Sequence, residues 1–250
     1  MKRIIAAAAL ACLWAQGAAA QSAPLHVFAS NGIKAALEAL KPSCERAIGH
    51  PLMIDYGSSA ALKRKIQAGD AFDLAILTPE TTADLTAAGK IASGTAAELA
   101  RTGIGFGVRA GASKPDIATP DAVKQTLLKA KSISVVKEGA SRATIDKMFD
   151  RLGIAQAVAS KTKLEAGTEK AGESVAQGQS EIEIIPLSEI PLVAGVQILG
   201  PLPGNLQNYL RFQASVSANA KDPASAKKAI QFLSSPAASP TFKSKGMDPR

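Results

Sequence analysis

Short apolar runs of β type alternate along most of this chain with segments whose apolar residues recur every three or four positions. Gly, Pro, Ser or Asn marks nearly every change. That alternation constrains the fold more than any other feature. Residues 25–29 read as a strand broken by Ser30-Asn31-Gly32, and Ile33, Leu37, Leu40, Cys44 and Ile48 then follow helical spacing. Pro42 is expected to kink that helix or split it. A strand over residues 51–56 leads through Gly57-Ser58-Ser59 to a helix over 60–68, which Gly69 stops. Residues 73–77 form a third strand, and Pro79 opens a helix that Gly89 closes. Further strands are expected at 133–136, 161–165 and 181–185, and helices at 143–152 and 168–176. Strands alternating with helices predict an α/β fold with mostly parallel sheets.

The last third changes character, with a long β-type run at 207–218 and helices at 223–233 and 236–245. Two passages could carry the chain between lobes. One is the glycine-rich run Thr102-Gly103-Ile104-Gly105-Phe106-Gly107-Val108, and the other lies within 196–212, around Gly200-Pro201-Leu202-Pro203-Gly204. The reading is one lobe from 21–104 and 206–250 and a second from 105–205; a single compact sheet with ordinary loops is the alternative.

The N-terminus bears on where such a fold would work. Lys2 and Arg3, the apolar run from Ile4 to Trp14 and the small residues Ala18-Ala19-Ala20 have the layout of a cleavable secretory leader over residues 1–20. The run is too short to span a bilayer. Cys12 has Ala9 three places before it, which does not fit a lipoprotein. A periplasmic protein is expected, without an internal disulfide, because Cys44 is the cysteine left once the leader goes. Its place on the apolar helix spacing reads as a buried, inert thiol. Hydrophobic residues make up 46% of the chain, enough for a real core, and aromatics only 4%, so Ala, Ile, Leu and Val must build it. The net charge of +8 favours anionic ligands. The basic residues are scattered, so no nucleic-acid partner is expected.

Three strand-to-helix turns carry hydroxyls, amides or glycine: Ala29-Ser30-Asn31-Gly32, Tyr56-Gly57-Ser58-Ser59 and Glu138-Gly139-Ala140-Ser141. The first N–H groups of a helix lack partners and the helix dipole adds partial positive charge, so an anion fits there without a cationic side chain. In parallel α/β sheets such turns gather at the carboxyl ends of the strands, where ligands bind. Each hydroxyl could equally be an ordinary N-cap. Arg142, beside the third turn, could offer a bidentate fork to a carboxylate.

Catalytic and metal-binding sets are sparse. His26 and His50 are the two histidines, and neither has a second ligand at metal spacing. No Gly-x-Ser-x-Gly elbow occurs. Ser-x-x-Lys starts at Ser160 and again at Ser225, which shows how little it means. Asp70 and Asp73 read as solvated turn residues. Neither enzyme activity, cofactor nor metal is expected.

The order of these turns resembles the periplasmic molybdate-binding proteins and the wider group of bacterial extracellular solute-binding proteins. The residues that carry it are Val27-Phe28-Ala29-Ser30, Tyr56-Gly57-Ser58-Ser59-Ala60-Ala61-Leu62, Gln67-Ala68-Gly69-Asp70-Ala71-Phe72-Asp73-Leu74-Ala75-Ile76, Gly139-Ala140-Ser141, Glu181-Ile182-Glu183-Ile184-Ile185 and Lys245-Gly246-Met247-Asp248-Pro249. The resemblance implies a type II periplasmic binding protein fold: two α/β lobes with mostly parallel sheets, joined by a two-strand hinge. It implies a monomer that closes over a small anion and delivers it to a membrane ABC permease. In that family neutral donors hold the anion, which here points to Ser30, with Asn31 in the same turn, to Ser58 or Ser59, to the Ala140-Ser141 turn and to Thr168. Two features depart from the molybdate pattern. Pro186 stands where those receptors carry a tyrosine, and Arg142 lies near the expected mouth. A small organic acid is therefore the alternative to molybdate or tungstate. A sensor-type binding protein and a hydrolase relying on His26 or His50 are the other classes.

Overall fold

The computed structural model describes residues 23–139 and 141–250. The expected leader, with Cys12, lies outside the described residues. The first lobe opens with β1 (Leu25–Ser30), α1 (Lys34–Ile48), β2 (Leu52–Gly57), α2 (Ser59–Ala68), β3 (Leu74–Leu77) and α3 (Pro79–Ala87). β1 lies between β2 and β3 and is parallel to both. Because side chains alternate across a strand, Leu25, Val27 and Ala29 enter one core while Phe28 enters another on the opposite face. β3 does the same, with Leu74 and Ile76 on one side and Ala75 and Leu77 on the other. A sheet buried on both faces is what a nearly continuous apolar run produces. Each fully buried Leu, Ile or Phe adds about 1.5–3 kcal/mol.

α1 remains one helix through Pro42. The proline removes the donor that would reach the Glu38 carbonyl. Leu37 and Leu40 before it and Cys44 and Ile48 after it pack into one core, so both halves are held in register. Cys44 is fully buried there, and burial with the neighbouring Glu45 charge pushes its thiol up to about 11. Asp73 is likewise buried and not solvated as expected: its carboxylate accepts the N–H of His26 at 3.0 Å and of Lys221 at 2.7 Å.

β4 (Ala97–Arg109) then leaves the first lobe. The second lobe contains α4 (Pro120–Lys129), β5 (Ile133–Val136), α5 (Arg142–Arg151), α6 (Ala155–Ala159), β6 (Thr162–Glu165), α7 (Thr168–Ala176), β7 (Ile182–Pro186) and β8 (Val196–Pro201). β5 is parallel to β6 and β7. One face of this sheet buries Phe106, Ile133, Val135, Ile182 and Ile184 against Val123 and Leu127 of α4 and Ile145 and Met148 of α5. α7 covers the other face, where Ala171 meets Val136, Ile185 and Ile190. The chain returns along β9 (Tyr209–Val216) to α8 (Pro223–Leu233), α9 (Ser239–Ser244) and the short β10 (Asp248–Pro249), which pairs with β4.

The strand path is β2-β1-β3-β9-β4-β7-β5-β6, with β8 and β10 added on β4. Pairing is parallel wherever strands alternate with helices and antiparallel around β4 and β9, the strands that connect the lobes. β4 changes partners at one point: Ala97 to Gly103 face β9, and Ile104 to Val108 face β7. Of the second expected passage, only the part in β9 makes the crossing, because β8 stays paired with β4 in the second lobe. The glycines of β4 have a packing reason. A Cβ on Gly105 would collide with Leu187, and one on Gly107 with Glu183.

Gln207 fastens the crossing. Its Oε1 accepts the Ile104 N–H at 2.8 Å, and its Nε2 donates to the Ile104 carbonyl at 2.9 Å. Gln207→Ala removes both bonds at the point where β4 changes sheets. We expect a loss of about 1–3 kcal/mol in denaturant unfolding; a loss within error of zero would show that the crossing does not depend on this side chain.

Candidate functional site

The carboxyl ends of β1, β2, β3, β5, β6 and β7 all open onto a cleft between the lobes, with a volume of about 620 Å³. The first lobe contributes Ser30, Asn31 and Gly32 after β1, Ser58, Ser59 and Ala60 after β2, and Thr78 and Thr81 after β3. The second contributes Glu138, Gly139 and Ser141 after β5, Gly167 and Thr168 after β6, and Pro186 with Glu189 after β7. Leu210 and Phe212 of the returning strand form its back.

Helix starts dominate the walls. Ser58 caps α2 by accepting the Ala61 N–H at 3.1 Å, which leaves its own O–H as a donor. Ser59 accepts the Thr78 N–H at 3.2 Å and so ties two of the turns together. Ser30 precedes the 3-10 turn that enters α1, Ser141 precedes α5 and Gly167 precedes α7, and none of these three ends has a side-chain cap. At α5 the Arg142 and Thr144 N–H groups already donate to the Gly139 and Ser141 carbonyls, each at 3.1 Å, whereas the helix dipoles still add partial positive charge at these ends.

Of the residues expected from sequence, Ser30, Asn31, Ser58, Ser59, Ser141 and Thr168 line this one cleft. Ala140 lies outside the described residues. Arg142 lies elsewhere. As the first residue of α5 it reaches along the helix to Asp146, Nη2 to Oδ1 at 2.9 Å, and borders a separate depression with Phe149 and Leu164. A partner one helical turn away draws it from the cleft.

The cation in the cleft is Arg64, which sequence reasoning passed over. It sits one turn after Ala60 on the same face of α2, and that i, i+4 spacing was the available signal. Its neighbours are occupied otherwise: Lys63 pairs with Asp84, and Lys65 lies over the Phe28 ring. Among the described residues Arg64 makes no ion pair, so its guanidinium is uncommitted. Neither histidine lines the cleft; His26 contacts Asp55 at 3.2 Å and His50 the Ala23 carbonyl at 3.0 Å. The described residues contain no cluster suited to a metal ion.

Residues 25–248 match the family described as bacterial extracellular solute-binding protein. The chain belongs to that family. An aconitate isomerase from a Pseudomonas species is 28% identical over 231 residues, covering 90% of this chain and 87% of the relative. The molybdate-binding protein ModA of Azotobacter vinelandii is 25% identical over 234 residues, covering 91% of each. The solved periplasmic molybdate-binding protein of Azotobacter vinelandii superposes with a TM-score of 0.74 at 18% identity, covering 89% of this chain and 98% of that one. The fold is that of the type II periplasmic binding proteins. None of the described helices is long and apolar enough to cross a membrane.

Among the described residues, several contacts bridge the lobes of this solute-binding protein. Lys34 of α1 pairs with Glu169 of α7 at 3.1 Å, and the buried Ser188 hydroxyl donates to the Gly32 carbonyl at 2.7 Å. Below them lie two acidic residues that sequence reasoning also passed over as site features. Glu189 is buried at the cleft floor, and burial pushes its carboxyl up to about 7, with the nearby Thr168 hydroxyl pulling the other way. Glu183 of β7 lies deeper, and neither carboxyl oxygen has a hydrogen-bond partner. Burial, reinforced by the Glu189 charge, pushes Glu183 up to about 8.

These shifts set a sign. A carboxyl that holds its proton more tightly folded than unfolded makes the folded state bind more protons between the two pKa values. Stability then falls as pH rises through that window. Wild-type protein should lose stability from about pH 5 to about pH 8, with a total on the order of a few kcal/mol. Glu183→Gln is neutral throughout, so its melting temperature should match wild type near pH 5 and exceed it at pH 8.5. Parallel melting curves for the two proteins across that range would contradict a buried, proton-holding Glu183.

Proposed function

We propose that this protein is a periplasmic receptor that captures a small organic polyanion, of the di- or tricarboxylate class, between its lobes for delivery to a membrane ABC permease. In this reading the leader over residues 1–20 is removed on export, residues 21–104 and 206–250 act as one rigid lobe, and 105–205 act as the other. The observation that carries it is Arg64, an uncommitted guanidinium and the one cation among the described residues lining a cleft that also holds hydroxyls, helix starts without side-chain caps and the carboxyls of Glu138 and Glu189. A planar fork of N–H donors matches a carboxylate, and the helix starts supply donors for further carboxylates on the same ligand. Closure would exclude water and strengthen every one of these bonds. The cleft volume lies within the range of organic-ligand pockets, and a bare tetrahedral oxyanion would fill a small part of it. Pro186 lines the cleft without a donor, at the position where the sequence resemblance to molybdate receptors implies a tyrosine.

A second reading, that the cleft also acts on its ligand, is supported by Glu189. A buried carboxyl that titrates near neutrality is suited to proton transfer, and one relative is named for isomerising a tricarboxylate.

Thermal unfolding against cis- and trans-aconitate, citrate, molybdate, tungstate, sulfate and phosphate tests the receptor. A ligand of the folded state adds about 2.7 kcal/mol at a hundred times its Kd. We expect a tricarboxylate to stabilise the protein and Arg64→Gln to weaken that ligand at least about tenfold, a loss of about 1.4 kcal/mol. Stabilisation by molybdate or tungstate alone would replace the organic-acid reading with an oxyanion receptor.

A further inference from the structure

A second depression lies outside the cleft, where α5 runs beside the segment 204–208 that leads from β8 into β9. Two bonds tie these segments together. Arg151 Nη1 donates to the Asn205 carbonyl at 2.6 Å, and Asn208 Nδ2 donates to the Thr144 hydroxyl oxygen at 3.0 Å. Between those bonds the segments do not fill the space, and a volume of about 400 Å³ stays open over the buried Met148 and Leu206. An apolar floor with polar walls, at that size, is the form of a small-molecule site.

The charge of this depression has one sign. Lys147 and Arg151 stand one helical turn apart on α5 and both line it, and no carboxylate among the described residues does. The acids of the same helix, Asp146 and Asp150, are also one turn apart, but they border the separate depression with Phe149 and Leu164. Like charges at i, i+4 oppose each other, so α5 forgoes the pairing that would steady an ordinary exposed helix. Among the described residues neither Lys147 nor Arg151 makes an ion pair. The other walls add donors. Thr144 accepts the Asn208 amide and so keeps its own O–H to give, and the Asn205 side-chain amide is not spent on any described residue.

We propose that this depression is a second anion site, which binds a phosphate dianion, free or as a monoester, at the crossing between the lobes. A phosphate monoester carries about two negative charges near neutral pH, and Lys147 and Arg151 supply two positive ones. Lys147 acts as a point charge, and Arg151 acts through the N–H groups that Asn205 leaves free. Phosphate also presents more acceptor oxygens than a carboxylate, and the Thr144 hydroxyl and Asn205 amide are donors for them. The bound anion joins α5 to the segment whose Gln207 holds the change of partners in β4. The site is separate from the cleft and does not depend on which ligand the cleft takes.

The test titrates inorganic phosphate, and separately a glycerol phosphate, into the isotope-labelled mature chain at constant ionic strength and follows the backbone amides by NMR. We expect saturable shifts at residues 144–151 and 204–208. In the double variant Lys147→Gln/Arg151→Gln the Kd read from those amides should rise at least about tenfold. Both side chains are exposed, and unchanged amide positions elsewhere report that the double variant folds. Tighter binding of the ester than of free phosphate would identify a phosphorylated small molecule as the source, and the reverse order would identify inorganic phosphate. Saturable shifts confined to the cleft would overturn the second site. Shifts that grow without saturating across the basic surface, or a Kd unchanged in the double variant, would overturn it equally.

Discussion

A single extended strand holds the two sheets of this protein in one piece. β4 pairs with β9 through its first half and with β7 through its second, and the change of partners falls between Gly103 and Ile104. An antiparallel ladder resists shear along its length, but its hydrogen bonds are weakest where one partner ends and the next begins. Gln207 occupies that point and binds both polar groups of the Ile104 peptide backbone. The strand must also be narrow there, because Leu187 and Glu183 lie across its glycines. Everything in the cleft inherits its position from this crossing, since the turns of one lobe face those of the other only while β4 and β9 fix the angle between the sheets.

The chemistry of the cleft follows from parallel pairing. Parallel strands end on the same side, and each is followed by a helix that starts there with unpaired N–H groups. Two such sheets facing each other direct several partial positive charges at one volume without any buried cation. That arrangement is indifferent to which anion enters. Selectivity must come from groups that differ along the wall, and three stand out: Arg64, the donor-free Pro186, and Glu189. The first favours a planar carboxylate over a sphere of oxygens, and the second withholds a donor that a compact oxyanion would use. The third places a proton-holding group against the ligand.

Most of the element boundaries were legible because strand and helix periods differ and because Gly and Pro mark the changes. The helix over Thr168–Ala176 and the strand over Ile133–Val136 fall where the pattern put them. The hydroxyl-bearing turns were legible for the same reason, as they follow strand ends directly. What sequence could not show is where a long side chain goes once its helix is placed. Arg142 and Arg64 sit beside turns of the same kind, yet Asp146 captures the first and no described residue captures the second. Pro42 illustrates the opposite limit, in which packing on both sides overrides a local breaker. The acidic pair was hidden because Glu183 lies in an apolar strand, where alternation alone does not show that a carboxyl is unpartnered.

Those two carboxyls are the groups in and behind the cleft that differ most from fixed neutral donors. A receptor that only binds and releases gains nothing from negative groups in its cleft, because each repels the ligand and costs desolvation when buried. Keeping them protonated removes the repulsion, and burial under α7 does that for Glu183. Glu189 lies at the boundary, with its carboxyl balanced between burial and the Thr168 hydroxyl. A group held at that balance can give up a proton or take one as the ligand charge changes beside it. Anion capture needs fixed donors, whereas proton exchange with the ligand needs one acceptor that is not fixed. The helix starts of the walls are fixed, and Glu189 is the carboxyl lining the cleft that burial raises toward neutrality.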